Sequence, residues 1–235
     1  MTSAASPAEP TNGLLASPAL RQGVAVGIAT GLYGISCGAL AVAAGLSVEQ
    51  AMATSLLLFS GGSQFAFFGV IAAGGAPVAA VATSTLLGVR NAFYGLQMAR
   101  LLNVRGLRKM AAAHLTIDES TAVAVSQPDL RQSTIGFWAT GIAVFVLWNL
   151  MTLVGALLGD AMGDPRTYGL DAAAAAAFLA LLWPRLRGFD PLATAAGAVA
   201  LTLITAPALP AGIPILIAVL AAVIVGLLPR RAAAS

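Results

Sequence analysis

Charge is what this chain has least of. It holds 12 basic and 9 acidic residues among 235, or 9%, where a soluble domain carries about a quarter. So few charged side chains cannot clothe a water-soluble globule of this size. Cysteine is nearly absent too. Cys37 stands alone and excludes an intrachain disulfide, and His114 is the only histidine, so no Cys/His metal site is expected. Cys37 is expected to serve packing. No cofactor is expected, and no Walker-type phosphate loop supports a nucleotide-driven pump. The net charge of +3 is scattered over short loops, which points to orientation in a membrane and not to nucleic acid.

What is present is apolar. Hydrophobic residues make up 59% of the chain and the mean hydropathy is +0.90. This composition predicts an all-α integral membrane protein with lipid as its solvent. Met1 to Ala19, rich in Ser, Pro, Ala and Thr, reads as a disordered tail. Residues 20–230 are expected to form one transmembrane domain. A crossing needs roughly 20 apolar residues, and seven stretches qualify: Leu20 to Ala44, Ala51 to Ala73, Val78 to Ala99, Thr134 to Leu158, Gly169 to Trp183, Leu192 to Ala208 and Ile213 to Leu228. An eighth, Met110 to Gln127, is short and carries His114, Asp118 and Glu119, which suits a half-helix or re-entrant segment. If it does not cross, Arg100, Arg105, Arg108, Lys109, Arg131, Arg185, Arg187, Arg230 and Arg231 share one side against Arg21 and Arg166. The positive-inside rule favours that arrangement, with the N-terminus outside.

Glycines recur at Gly23, Gly27, Gly31, Gly34 and Gly38, and again at Gly155 and Gly159. They make a nearly bare stripe that another helix can approach closely, and helix packing is its first reading.

Three polar constellations interrupt the apolar runs. In the first, Ser60-Gly61-Gly62-Ser63-Gln64 predicts a discontinuous helix, whose freed backbone groups are natural ligands for a polar solute. The alternative is a packing contact in which Ser63 and Gln64 bond a neighbouring helix. A Ser63–His114 dyad for intramembrane proteolysis is a weaker alternative. In the second, Arg90 with Asn91, Tyr94 and Gln97 forms a polar stripe that Thr83 extends. Arg90 should face the bundle interior, to hold a substrate carboxylate or to pair with Asp118 or Glu119. The third comprises His114, Thr116, Asp118, Glu119 and Thr121, of which 114, 118 and 121 are placed along one helix face. Its carboxylates are either proton carriers or an interfacial acidic turn.

In order and spacing, these motifs resemble the AzlC family, the large subunit of bacterial branched-chain amino acid exporters. The matching runs are Ser60-Gly61-Gly62-Ser63-Gln64-Phe65, Leu86-Leu87-Gly88-Val89-Arg90-Asn91-Ala92-Phe93-Tyr94-Gly95 and Leu115-Thr116-Ile117-Asp118-Glu119. Looser support comes from Trp148 to Gly159 and from Gly169 to Leu182. Where the family usually carries Asn-x-Arg-His, this chain has Gly88-Val89-Arg90-Asn91, so proton transfer through that histidine cannot operate here. The resemblance implies a secondary transporter in the bacterial cytoplasmic membrane. It would export small aliphatic amino acids such as valine, leucine, isoleucine or methionine, together with a small AzlD-type membrane subunit. Under it, Gly61, Gly62, Ser63, Gln64, Arg90, Asn91 and Tyr94 are the expected substrate contacts. Freed carbonyls or Asp118 would receive the ammonium, and Phe59, Phe65 and Phe68 would line the apolar part. Asp118 and Glu119 are the expected proton-coupling groups. A passive pore is the competing reading.

Overall fold

The computed structural model describes residues 17–162, 179, 182–183, 186–210 and 212–227. Among them every regular element is an α-helix. In chain order these are α1 (Pro18–Leu32), α2 (Gly34–Ala43), α3 (Val48–Leu57), α4 (Gly61–Ala72), α5 (Pro77–Leu102), α6 (Leu107–His114), α7 (Asp118–Val125), α8 (Leu130–Ala161), α9 (Phe189–Thr205) and α10 (Ile213–Leu227). The expected tail up to residue 16 and most of the expected span from Gly169 to Trp183 lie outside the described residues.

Two helical stretches are long and apolar enough to cross a bilayer: Pro18–Ala43, which joins α1 and α2, and Leu130–Ala161. Tyr33 between α1 and α2 keeps helical dihedrals, φ −67° and ψ −15°. Shorter apolar helices follow in α4, α9 and α10. α5 has 26 residues, but its Thr83, Ser84, Arg90, Asn91 and Gln97 keep it from reading as a purely apolar span.

The chain divides into two compact units. One holds the described residues up to Gly31 with Phe93–Leu147, and the other holds Leu32–Ala92 with the described residues from Trp148 onward. In the first, α1 lies on the opening turns of α8. A Cβ added to Gly23 would come within 2.9 Å of the Thr140 backbone nitrogen, and one on Gly27 would collide with Ala143. Ser17 donates to Gln132 Oε1 at 2.7 Å and Gln127 donates to Gln22 at 2.8 Å, tying the ends of these helices. In the second unit α2 lies on the later turns of α8. A Cβ on Gly34 would sit 2.6 Å from the Trp148 carbonyl oxygen, and one on Gly38 would overlap the Thr152 carbonyl. Gly155 answers from the other side against the backbone of Ile35. The glycine stripe is therefore a close backbone approach, as small residues permit between membrane helices.

Within Met110 to Gln127 one expectation fails, the shared helix face of 114, 118 and 121. The segment is two short helices, α6 and α7, separated by Leu115–Ile117. Thr116 Oγ1 donates to the Ala112 carbonyl at 2.7 Å, and Ser120 Oγ donates to the Leu115 carbonyl at 2.6 Å while accepting from the Ile117 N–H at 3.1 Å. These bonds give the backbone partners outside a continuous helix. His114 thus closes α6 and Asp118 opens α7, so 114, 118 and 121 do not lie along one helix face.

Candidate functional site at the α3–α4 break

α3 begins in a capping box, with Ser47 Oγ accepting from the Gln50 N–H at 3.3 Å and Gln50 Oε1 accepting from the Ser47 N–H at 2.9 Å. It ends at Leu58, where φ −99° and ψ 59° leave the helical region. The Ser60 N–H turns back to the Leu58 carbonyl at 2.7 Å, and Ser60 itself is extended at φ −159°, ψ 104°. The helix restarts at Gly61. The sequence places the break among the glycines, whereas the structure places it one step earlier, at Leu58–Ser60. The glycines form the first turn of α4.

The first helical bond of α4 is Gln64 N–H to the Ser60 carbonyl, 3.0 Å. Gly61, Gly62 and Ser63 therefore present N–H groups with no carbonyl one turn back in the helix, and no side chain caps this end. Such a terminus attracts a carboxylate by its N–H groups and its dipole.

Gln64, expected to touch substrate, is fully buried and occupied by the protein. Its Oε1 accepts from the Trp148 indole at 2.9 Å and from the Cys37 thiol at 3.3 Å, and its Nε2 donates to the Thr54 carbonyl at 3.3 Å. One amide thus joins α2, α3, α4 and α8 across the break. Tyr33, Phe65 and Trp148 close round it, with ring centroids 5.5 to 6.3 Å apart. Such aromatic pairs contribute about 0.5 to 1.5 kcal/mol each beyond their burial. The Trp148 ring also edges the start of α4, 3.0 Å from where a Cβ on Gly61 would sit. Sequence reasoning missed Cys37, read only as packing, and gave Trp148 no role. The signal available was Trp148-Asn149 in the middle of an apolar helix.

Ser63 faces α5 instead. Its hydroxyl is wholly buried and makes no hydrogen bond, and it lies 3.5 Å from where a Cβ on Gly88 would be. Arg90, half a turn further along α5, lays its guanidinium over Gly62, with Nη2 3.0 Å from the position of a Cβ there. The absence of a side chain at Gly62 and Gly88 thus lets α4 and α5 exchange a hydroxyl and a guanidinium at close range. Arg90 lies 13 residues from the start of α5 and 12 from its end, about 18 to 20 Å of helix on either side. Thr83 Oγ1 and Asn91 Oδ1, on the same helix, are also buried without a hydrogen bond. Gly61, Gly62, Ser63 and Arg90 come together; Gln64 turns away from them. Tyr94 is half-buried one turn beyond Arg90 and belongs to the other compact unit.

That other unit holds Asp118 and Glu119, both half-buried in the first turn of α7. Their negative charge complements the positive end of that helix. His114 stacks edge-on against Phe145, with centroids 5.5 Å apart.

The described residues contain no group of His, Cys, Asp and Glu able to hold a metal. The chain matches the family described as AzlC protein over residues 25–162, which includes the break, Arg90 and α7 but stops short of α9 and α10. It is 32% identical over 167 residues to an uncharacterized membrane protein of Archaeoglobus fulgidus, covering 70% of this chain and 73% of that protein. No solved structure matches. Composition, apolar helices and kinship together make this a membrane protein with a transport-related role, and the chain belongs to the AzlC family.

Proposed function

We propose that this chain is the large subunit of a two-subunit secondary transporter. It exports small aliphatic amino acids across the bacterial cytoplasmic membrane by proton coupling, through a bundle of about seven crossings. The observation that carries this reading is the Arg90 guanidinium over Gly62 at the uncapped start of α4. A planar guanidinium and converging backbone N–H groups are suited to a carboxylate, and the buried Ser63 hydroxyl adds one more donor. A charge at this depth costs about 2.5 to 3.5 kcal/mol on insertion scales, so a guanidinium there belongs in the protein interior and not against lipid. The Gln64 amide supports the site by fixing α4 relative to α2 and α8. Asp118 and Glu119 carry the proton, and a small AzlD-type membrane subunit completes the transporter.

Reconstitution in proteoliposomes, with and without the small subunit, tests this against a panel of labelled amino acids. The expected result is saturable, pH-gradient-dependent efflux of valine, leucine, isoleucine or methionine, abolished uphill in Asp118→Asn. Flux that neither saturates nor responds to the gradient would instead identify a pore.

A further inference from the structure

The C-terminal third of α5 and the segment after it concentrate positive charge and contain no acidic residue of their own. Arg100, Arg105, Arg108 and Lys109 are all exposed, and the chain contains no acidic residue between Glu49 and Asp118. Phe93, Leu96, Gln97, Arg100 and Leu101 line an open groove of about 480 Å³ on α5. Phe93 and Leu96 are 67% and 68% exposed, so the groove floor is uncovered hydrocarbon ending at a cation. α6 repeats the combination: Leu107 and Met110 are 83% and 69% exposed, Arg108 and Lys109 stand beside them, and Ala112 is the position buried against the protein.

Depth fits as well. Measured from Pro77 at 1.5 Å per residue, a hydrocarbon layer of about 30 Å ends near residue 97. With Pro77 at the opposite edge, Arg100 would reach the lipid phosphates, and Phe93 and Leu96, one to two turns earlier in α5, would lie among the acyl chains. An exposed apolar trough capped by a cation matches a molecule with an anionic head and a hydrocarbon tail. A free anion would use only the cation.

We propose that this end of α5, with the basic segment through Lys109, is a binding site for an anionic phospholipid. Its phosphate is held by Arg100 with help from Arg105, Arg108 and Lys109, and one acyl chain lies over Phe93 and Leu96. The site is independent of the α3–α4 break.

Native mass spectrometry of the detergent-purified chain, titrated with phosphatidylglycerol or phosphatidylcholine of the same chain length, tests it. Wild type should retain phosphatidylglycerol about tenfold better. Basic residues near a lipid surface act at about a fivefold change each. Arg100→Gln should therefore reduce that preference about fivefold, and Arg100→Lys should largely keep it. Leu96→Trp, which fills the groove without altering charge, should weaken both lipids, and Arg21→Gln should change nothing. Equal retention of the two lipids by wild type overturns the proposal. So does an undiminished preference in Arg100→Gln, or unaltered binding in Leu96→Trp.

Discussion

Two glycine-rich regions of this protein look alike on paper and differ in what surrounds them. Along α1 and α2 the glycines face the backbone of α8: a Cβ on Gly38 would overlap the Thr152 carbonyl and lie 2.6 Å from the Ala156 nitrogen. At the start of α4, Gly61 and Gly62 face side-chain atoms instead, the Trp148 ring and the Arg90 guanidinium, each 3.0 Å from the added Cβ. Backbone cannot yield without moving a helix, whereas a guanidinium can swing. The first region is therefore where glycine serves assembly, and the second is where it serves access.

Substitutions should separate the two. The largest effect is expected at the helix contact, where Gly38→Leu forces α2 off α8. Overpacking costs about 1 to 3 kcal/mol where a core can adjust and more where it cannot. We expect the variant to be lost from the folded, monodisperse fraction in size-exclusion chromatography. Next comes Gln64→Leu, of similar shape. It strands the Trp148 N–H and takes the acceptor from the Cys37 thiol, while the Thr54 carbonyl keeps the Leu58 N–H; a buried donor left unpaired costs about 1 to 3 kcal/mol. Thermal unfolding in detergent should show the loss even with no amino acid present. A smaller change in stability, with a clear change in transport, is expected for Gly62→Ala. The protein should accumulate normally while efflux falls about tenfold, corresponding to about 1.4 kcal/mol, because the guanidinium is displaced from the helix start. If Gly62→Ala instead unfolds the protein as Gly38→Leu does, the distinction between the regions collapses.

The smallest effect is outside both regions, at the exposed Glu49 in the first turn of α3. The Ser47 hydroxyl donates to Glu49 at 2.7 Å and, with Glu49's own backbone, holds its carboxyl below the ordinary value. A depressed carboxylate stabilises the fold above the unfolded value and loses that contribution as pH falls through the folded one. The difference between wild type and Glu49→Gln should be small at neutral pH and fade as the pH falls from the ordinary carboxylate range through the lowered value of Glu49, as thermal unfolding across acid pH would reveal.

Much of this was legible in the residues. A run of Gly and Ser inside an apolar segment weakens a helix, which placed a break at this run, and the helix does break beside it, at Leu58–Ser60, with the glycines opening α4. Gly23 to Gly38 at helical spacing announced a close partner, and that partner is α8 in each unit. The site itself was half legible. Polar side chains at membrane depth must find polar neighbours, which singled out Ser63, Gln64 and Arg90 but not which neighbour each would find. Adjacent residues on α4 point about 100° apart, so Gln64 turned to Cys37 and Trp148 while Ser63 turned to α5. The division of Met110 to Gln127 into α6 and α7 was harder to read: Ser120 bonds the Ile117 N–H and the Leu115 carbonyl, and Thr116 the Ala112 carbonyl, through local side-chain bonds that compete with a continuous helix.

The central claim is that the start of α4 and Arg90 receive a carboxylate. Its most direct test is ligand-induced thermal stabilisation of the purified transporter, comparing leucine with the amine left when leucine loses its carboxyl group, in wild type and Arg90→Gln. The account predicts that leucine stabilises wild type, that the amine does not, and that Arg90→Gln responds to neither. Equal stabilisation by both compounds, or an undiminished leucine response in Arg90→Gln, would contradict it.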